Sequence, residues 1–414
     1  MYRGKMASGR GLSMRLAMML VLLSAWLQTA GDADGADWPR WRGPAGTGIS
    51  EQSDWSPRAL AGQPAILWEK QVGEGYSSVS VKGDALFTMG NRRNRDIVYG
   101  LRAATGETVW KHEYPCRAAS YPGPRATPVI DEDHVYTFSR EGDLFCLEAR
   151  TGKVTWHRDL VKEAGLKNLK WGFASSVLVE AGLAVVNAGE YGMAFDKSNG
   201  RTVWKSGKGP AGYATPVPFD WRGKRCLAVF GREALHVVDL RTGERYWSYQ
   251  WRTRFDVNAA DPLIMGDRIL ISSGYGTGCV LLDVSGKEPR KVWQNTSMRT
   301  HFSSCVALDG AIYGIDGNAG RPKSGLKCLD AATGKVRWSA DTGFGGLTAT
   351  REHLLVLNER GQLFVVEADP ERYRQVVRTD PLLRPRCWTA PVLANGRIYC
   401  RNDRGNLICI QASQ

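Results

Sequence analysis

The chain of 414 residues carries 55 Lys and Arg against 42 Asp and Glu, which gives a formal net charge of +13. This length allows more than one hydrophobic core, and a basic chain of this kind is open to anionic partners such as nucleic acid. Apart from Arg92, Arg93 and Arg95, the basic residues are scattered among acidic ones, which indicates a mixed, solvated surface. Together with the export predicted below, this distribution excludes nucleic acid as a partner.

Residues 1–31 are predicted to be a signal peptide. Four basic residues precede the apolar run 16–27, and the small residues Ala30 and Gly31 follow it. The run is short for a membrane span, so cleavage is favoured over an uncleaved N-terminal anchor. No cysteine occurs before Cys116, so a lipid-attachment box is absent, and no second run of spanning length follows. We expect an exported monomer, periplasmic or extracellular, with no stable membrane span after signal cleavage.

The nine cysteines are an odd number, so at least one is unpaired within the chain. Cys146, Cys328 and Cys409 occupy the same place in three copies of a repeat, which indicates small buried apolar residues. Export permits disulfides, and Cys400 and Cys409 are predicted on neighbouring strands, but the sequence leaves their pairing open. Because no CxxC pair and no Cys/His cluster is present, a structural metal site is not expected.

The segment 32–62 is rich in Gly, Pro, Asp and Ala and contains DWPRWRGP at 37–44. Two Trp and two Pro in this stretch predict an extended piece that docks on the domain itself. Beyond it, period-2 strand patterns dominate, and a helix-like piece at 160–169 is interpreted as a loop insertion. The predicted organisation is a signal peptide at 1–31, an extended N-terminal segment at 32–62 and one repeat domain at 63–414.

A short repeated unit organises that domain. It runs from Leu144 to Trp156 (LFCLEARTGKVTW) and returns from Leu326 to Trp338 (LKCLDAATGKVRW). Variants occupy residues 99–110, 193–204 and 235–247. Each copy is an apolar run, a Thr-Gly or Asn-Gly turn whose glycine takes positive φ at no steric cost, and a short strand ending in Trp. A unit this short has no apolar core of its own, so the copies must pack on one another.

Two periodic signals count the repeats. Trp residues recur at spacings of 42 to 48 residues, the range expected of four short strands per blade, at Trp68, Trp110, Trp156, Trp204, Trp247, Trp293 and Trp338. A small residue leading into a strand, often before Pro, recurs eight times, at Ser78, Thr127, Ser175-Ser176, Thr215, Asp261, Ser304, Gly346 and Ala390. The strand at 66–68 has no blade before it, and the strand at 406–410 has no Trp strand after it. We therefore predict an all-β, eight-bladed β-propeller of four-stranded antiparallel blades, with the ring closed by the N-terminal strand.

The pattern Leu-x-Cys-Leu-Asp-Ala-x-Thr-Gly-Lys-x-x-Trp resembles the tryptophan-docking repeat of PQQ-like eight-bladed propellers, and the resemblance covers about residues 63–414. It implies that each Trp stacks on the Thr-Gly turn of a neighbouring repeat. The family includes quinoprotein alcohol and sugar dehydrogenases, which carry PQQ and Ca²⁺, and the β-barrel assembly lipoprotein BamB with its non-catalytic relatives. The segment 38–44 (WPRWRGP) is also similar to the mature start of exported planctomycete-type members.

A quinoprotein site of that family would have adjacent cysteines, a Trp that sandwiches the cofactor, and acidic ligands around Ca²⁺. This chain has no adjacent cysteines, and its blades are near the minimal length. No cofactor is therefore expected. The alternative is a PQQ- and Ca²⁺-dependent alcohol or sugar dehydrogenase, catalysed by an acidic residue near the channel such as Asp256 or Asp261.

The entries to the inner strands predict a ring at one mouth of the central channel. The residue three positions before each Pro-equivalent position is aromatic in six of the eight blades, and Asn258 and His301 directly precede two members of this series. The candidate binding residues are Tyr76, Arg125, Phe173, Tyr213, Asn258, His301, Phe302, Phe344 and Trp388. Aromatic faces interspersed with polar groups suit a flat, polar or sugar-like ligand. The competing interpretation is that the aromatics only pack the channel closed.

The sequence thus predicts an exported, non-catalytic propeller that serves as a binding or scaffold module for a protein, peptide or glycan. A role in outer-membrane assembly like that of BamB is a weaker alternative, since the lipid-attachment cysteine is missing.

Overall fold

The computed structural model describes Met1 and residues 36–413, so the predicted signal peptide at 1–31 lies largely outside the described residues. Over the described part, 32 strands form eight separate antiparallel sheets of four strands each. The predicted all-β, eight-bladed propeller is confirmed. No helix in the described part of the chain is long and apolar enough to cross a membrane.

The chain begins its sheets with β1 (Ile66–Gln71) and then builds the first four blades in order. Blade 1 contains β2 (Ser80–Lys82), β3 (Ala85–Arg92), β4 (Arg95–Arg102) and β5 (Thr108–Pro115). Blade 2 contains β6 (Val129–Asp131), β7 (His134–Phe138), β8 (Asp143–Glu148) and β9 (Val154–Asp159). Blade 3 contains β10 (Leu178–Glu180), β11 (Leu183–Val186), β12 (Met193–Asp196) and β13 (Thr202–Lys205). Blade 4 contains β14 (Val217–Trp221), β15 (Lys224–Phe230), β16 (Ala234–Asp239) and β17 (Arg245–Gln250).

The second half repeats the same order until the last blade. Blade 5 contains β18 (Leu263–Met265), β19 (Arg268–Ser273), β20 (Gly278–Asp283) and β21 (Arg290–Asn295). Blade 6 contains β22 (Val306–Leu308), β23 (Ala311–Asp316), β24 (Gly325–Asp330) and β25 (Val336–Ala340). Blade 7 contains β26 (Gly345–Ala349), β27 (His353–Asn358), β28 (Leu363–Glu367) and β29 (Gln375–Arg378). Blade 8 contains β30 (Val392–Ala394), β31 (Arg397–Arg401), β32 (Asn406–Gln411) and β1, which pairs antiparallel with β32, as predicted for ring closure.

The position of a strand within its blade explains its burial. The third strand β8 (DLFCLE) is buried at its four central residues because both of its faces contact other blades, whereas the outer strand β9 (VTWHRD) fully buries only Trp156. Cys146 is fully buried in β8, as the repeat pattern predicts, and all nine cysteines are buried and free. The helix-like piece contains only the short helix α1 (Leu160–Ala164), capped by Asp159 and Gly165. Two 3-10 turns cover Pro57–Leu60 and Arg254–Asp256.

Tryptophans link consecutive blades. The indole N–H donates to a backbone carbonyl in the turn region of the next blade at 2.8–3.1 Å, in the pairs Trp68–Ala103, Trp110–Ala149, Trp156–Lys197, Trp204–Leu240, Trp293–Ala331 and Trp338–Asp369. The ring covers the turn glycine: a Cβ built on Gly200 would lie 2.7 Å from the Trp156 ring. Blade 4 differs, because Trp247 is buried with its N–H unpartnered among the described residues and Trp221 donates to Val284 instead, at 2.6 Å.

The N-terminal segment lies against the propeller, as its Trp and Pro content predicts. Trp38 exchanges two backbone hydrogen bonds with Val81 of blade 1, at 2.9 and 2.8 Å, and further along the segment Ile49 forms a parallel bridge with Ala349 of blade 7. Between these points the guanidinium of Arg42 donates to the carbonyl of Cys305 in blade 6 at 2.6 Å. The segment therefore passes from blade 1 to blade 6 and then to blade 7, and covers one end of the central channel.

Candidate functional site

A chain of hydrogen bonds runs around the inner wall of the propeller. In blades 2 to 6, a small polar side chain before the inner strand accepts from the backbone N–H of the corresponding residue in the preceding blade, at 2.8–3.1 Å. The six residues joined in this way, the inner belt, are Ser78, Thr127, Ser176, Thr215, Asp261 and Ser304. The recurring small residue in the sequence is thus a short acceptor that bridges blades. Gly346 and Ala390 carry no such acceptor, and a Cβ on Gly346 would lie 2.3 Å from the Ala390 backbone.

A cavity of about 560 Å³ lies on the axis above the inner belt. Its floor includes Trp41 of the N-terminal segment, whose indole N–H donates to Asp261 Oδ2 at 2.6 Å. Its upper wall comes from the loops between blades and from the turns between second and third strands. At the outer end, Tyr121 and Phe255 are 42% and 46% exposed. The cavity is therefore covered below by the chain itself and open at the rim.

Six of the nine predicted ring residues line this cavity. Three of them contact one another. Tyr76 stacks on Trp388 with ring centroids 5.5 Å apart and planes at 19°, and Phe302 packs against Trp388 with ring centroids 5.4 Å apart. The six are Tyr76, Arg125, Tyr213, His301, Phe302 and Trp388.

The other three predicted ring residues do not line the cavity. Phe173 is 2% exposed and packs on Phe138 in the core between blades 2 and 3. Phe344 is fully buried in the core of blades 6 and 7. Asn258 is also fully buried, and its amide donates to three backbone carbonyls while its oxygen accepts from Ser273. These side chains point between blades instead of toward the axis. Core packing explains the two phenylalanines, and hydrogen bonding to backbone carbonyls explains Asn258.

The sequence interpretation missed most of the rim. The additional large or polar lining residues are Trp41, Tyr121, Lys170, Trp171, Phe255, Tyr275, Asn318 and Arg321. Several stand in long connections between blades, and Tyr275, Asn318 and Arg321 stand in turns between second and third strands. Such connections carry no periodic signal, although the unusual length of the loops at 116–127, 160–176 and 251–261 marks them in the sequence.

Three rim aromatics have left-handed backbone conformations. The φ angles are 53° at Tyr121, 67° at Phe255 and 57° at Tyr275, and among the described residues these are the aromatic side chains with positive φ. A bulky residue in this region is uncommon and costs of order 1 kcal/mol. All three line one cavity, so the strained positions of the chain's aromatic residues are concentrated at this site.

His301 is held neutral in the wall of the cavity. Its Nδ1 accepts from the Ala319 N–H at 3.3 Å, which assigns the proton to Nε2, and Nε2 then donates to the Tyr275 hydroxyl at 3.0 Å. Burial lowers the pKa of His301 to about 4. Because Tyr275 accepts from the ring, its own hydroxyl proton is available to a ligand.

Burial also shifts the pKa values of neighbouring polar groups. Desolvation raises the pKa of Tyr76 to about 12, so this phenol is a neutral donor and acceptor at pH 7. Desolvation lowers the pKa of Arg125 to about 10, which leaves it charged. Its guanidinium donates to the carbonyls of Gly123 and Tyr121 at 2.8 and 3.0 Å.

The residues around the cavity do not fit a Ca²⁺–quinone centre. The described residues contain no cluster of three or more His, Cys, Asp or Glu side chains suited to a metal. Both oxygens of Asp261 are engaged, with Thr215 N–H at 2.8 Å and Trp41 at 2.6 Å, and Asp256 pairs with Arg232 at 2.7 Å. One face of Trp388 is covered by the stacked Tyr76 ring, so that face is not free to stack on a flat cofactor.

Fold and cavity together define a closed eight-bladed β-propeller with a cavity on its axis. The sequence matches the family described as outer membrane protein assembly factor BamB over residues 94–340 and 322–414. The chain belongs to this family. No curated protein sequence matches it.

Solved structures show the same fold at low identity. BamB from Moraxella catarrhalis is 16% identical with a TM-score of 0.62, and the alignment covers 84% of this chain and 98% of that one. Quinohemoprotein alcohol dehydrogenase from Comamonas testosteroni is 14% identical with a TM-score of 0.67, over 91% of this chain and 80% of that one. The computationally designed protein Ika8 is 10% identical with a TM-score of 0.61, over 84% and 100%. At these identities the likeness extends to the fold alone, and function must be argued from the site.

Proposed function

We propose that this protein is an exported, non-catalytic binding propeller whose axial cavity holds a group presented by a protein, peptide or glycan partner. The observation that carries the proposal is the cavity itself: one aromatic-walled space of about 560 Å³, closed below by the N-terminal segment. A concave site with apolar walls and a few placed polar groups is the usual form of a binding site.

The chemistry of the lining supports binding over catalysis. Asp261 is committed to the inner belt and to Trp41, and burial keeps His301 neutral while both of its ring nitrogens are hydrogen-bonded. Neither is paired with a nucleophile in the way that covalent catalysis requires. The strained rim aromatics favour a preorganised surface, because such conformations cluster where a ligand is held.

An array of immobilised glycans and peptides tests this function. The labelled protein is expected to retain a discrete set of ligands, and Trp388→Leu is expected to lose that set while keeping the native melting temperature within a few degrees. Trp55→Leu is the matched control, since Trp55 is half-buried against His353, away from the cavity.

Two results would overturn the proposal. One is equal retention of the same ligands by wild type and Trp388→Leu, or retention of none by wild type. The other is dye-linked oxidation of alcohols or sugars after addition of PQQ and Ca²⁺, which would replace the binding function with a dehydrogenase.

A further inference from the structure

The rim carries positive charge that no carboxylate neutralises. Lys170 and Arg321 are exposed and line the cavity, and neither forms an ion pair within residues 36–413. Other arginines on the same side are paired: Arg386 lies 3.0 Å from Asp403 and Arg232 lies 2.7 Å from Asp256. Within the described part of the chain, Lys170 and Arg321 are thus unpaired cations at the cavity itself.

Aromatic rings contact two of the cations that line the cavity, Lys170 and Arg125. Lys170 Nζ lies 5.1 Å from the ring centre of Trp171 and 5.6 Å from that of Phe255. The Arg125 guanidinium lies 5.7 Å from the ring centre of Tyr76. Contacts of this kind stabilise a cation without neutralising it, so both charges remain available to an anion.

The negative charge nearby is already satisfied. Asp261 on the floor receives the hydrogen bonds described above and lies 4.0 Å from the buried Arg42. Glu359, beside the rim, accepts from the Gly320 N–H at 2.9 Å and from the Trp388 indole at 3.4 Å. The charged side chains that line the cavity are therefore three cations, Arg125, Lys170 and Arg321, and one committed carboxylate.

The angles between the aromatic ring planes indicate which shape of ligand the cavity suits. Tyr121 meets Trp171 at 77°, Phe255 meets Tyr275 at 77°, and Tyr121 meets Trp388 at 35°. Oblique faces and edges suit a puckered sugar ring, whose C–H face contacts an aromatic ring while its hydroxyls reach the phenols. A flat conjugated ligand stacks only on an open face parallel to its own plane and otherwise makes edge-to-face contacts.

We infer that the cavity binds the end of an acidic glycan, with sugar rings against the oblique aromatics and a carboxylate or sulfate at Arg125, Lys170 and Arg321. This inference rests on the proposed function and specifies its ligand. The covered floor favours a chain terminus over an internal segment, since a chain cannot pass through the cavity.

Tryptophan fluorescence provides the test, because Trp41, Trp171 and Trp388 line the cavity. The probes are a hexamer of α-1,4-linked galacturonic acid, its neutral methyl ester, a heparin-derived hexasaccharide and PQQ. We expect saturable binding of the galacturonate or the heparin hexasaccharide and at least about tenfold weaker binding of the methyl ester, since hydrogen bonds to charged groups are the stronger class. Raising salt from about 0.05 to 0.5 M should weaken binding of the acidic probes.

Charge variants then locate the contact. Lys170→Ala and Arg321→Ala should each weaken binding of the acidic glycan about threefold to tenfold. Lys287→Ala, an exposed lysine in the turn after β20, is the matched control and should bind as wild type does.

Failure of this inference is distinguishable from failure of the proposed function. Equal affinity for acid and ester, saturable binding of PQQ alone, or no binding of either acidic hexasaccharide at millimolar concentration would overturn the acidic-glycan assignment. In each case the binding function stands if Trp388→Leu still abolishes retention on the array. Binding of the acidic probes by Lys170→Ala and Arg321→Ala with the affinity of wild type would overturn the assignment as well.

Discussion

Asp96, in strand β4 of the first blade, is a buried carboxylic acid that stands outside the candidate site. It is fully buried, and its Oδ1 accepts from the Asn91 amide at 2.6 Å, while no N–H or O–H of the described residues reaches its Oδ2. Desolvation raises the pKa of Asp96 to about 6. The ionised form is therefore less stable in the folded protein than in the unfolded chain.

The raised pKa of Asp96 determines the direction in which stability changes with pH. Because the folded pKa lies above the unfolded value of 3.8, the folded protein binds more protons between about pH 4 and 6, and stability falls as pH rises through that window. Asp96→Asn removes the titration. Relative to wild type, it should gain about 3 kcal/mol in the free energy of unfolding at pH 8 and little at pH 4. Urea unfolding of both proteins across this range measures the difference.

A carboxylate whose pKa is shifted in the opposite direction provides the control. The pKa of Asp330 is lowered to about 2, first by the hydrogen bond from Arg337 and then by Thr333. Asp330→Asn should lose stability at neutral pH, and the deficit should vanish as pH falls toward the lowered value. A pH-independent effect of Asp96→Asn would contradict the assignment of the raised pKa.

At the scale of elements, the outer strands are fastened by tryptophans in two chemically different ways. Trp156 of β9 is buried, and its indole N–H donates to the Lys197 carbonyl at 2.9 Å. Trp247 of β17 has the same register on its neighbouring strand, but its N–H has no partner among the described residues. Comparing the two positions therefore separates the contribution of the packed ring to stability from that of the hydrogen bond.

Phenylalanine substitutions test this separation. Trp156→Phe should cost about 1–2 kcal/mol more than Trp247→Phe, because only the former leaves a carbonyl without its donor. Trp221→Phe should resemble Trp156→Phe, since Trp221 donates to Val284 in place of Trp247. Denaturant midpoints at a common m-value measure the three changes. Equal losses at Trp156 and Trp247 would show that the hydrogen bond contributes nothing beyond the packed ring.

The contrast between these tryptophans shows what the sequence can predict. Spacing reveals the blades because most copies place a tryptophan ring against the turn of the next blade, and the recurring small residue marks the acceptor that links inner strands. It does not reveal which of Trp221 and Trp247 donates, since both lie on strands of one blade. For the same reason Phe173 and Phe344 look like ring members: one residue of register decides whether a side chain faces the axis or the core between blades.

The periodic sequence pattern does not predict the cavity residues that lie outside the repeat. Tyr275 occupies a turn and Lys170 a loop, and neither belongs to the two periodic signals. Trp41 is visible in the sequence as part of a docking segment, but its target, Asp261, is 220 residues away. Such contacts follow from the closed ring and not from any local pattern.

At the scale of the molecule, the ring is closed by more than the β1–β32 pairing. Arg401 at the end of β31 is 2% exposed, and no carboxylate among the described residues pairs with it. Its guanidinium donates to the carbonyls of Ser77 at 2.7 Å and Met89 at 2.8 Å, and to three further oxygens of the first-blade region at 3.2 Å. One side chain of blade 8 thus satisfies the backbone at the start of blade 1.

Removal of this side chain should weaken the closure of the whole ring. Arg401→Met keeps much of the volume but leaves several buried carbonyls without donors, so we expect a loss of at least about 3 kcal/mol in the free energy of unfolding. Arg290→Met removes an exposed arginine paired with Asp283 and should change stability by less than about 1 kcal/mol. Urea unfolding followed by tryptophan fluorescence measures both. A loss below about 1 kcal/mol for Arg401→Met would mean that water satisfies these carbonyls and that strand pairing alone closes the propeller.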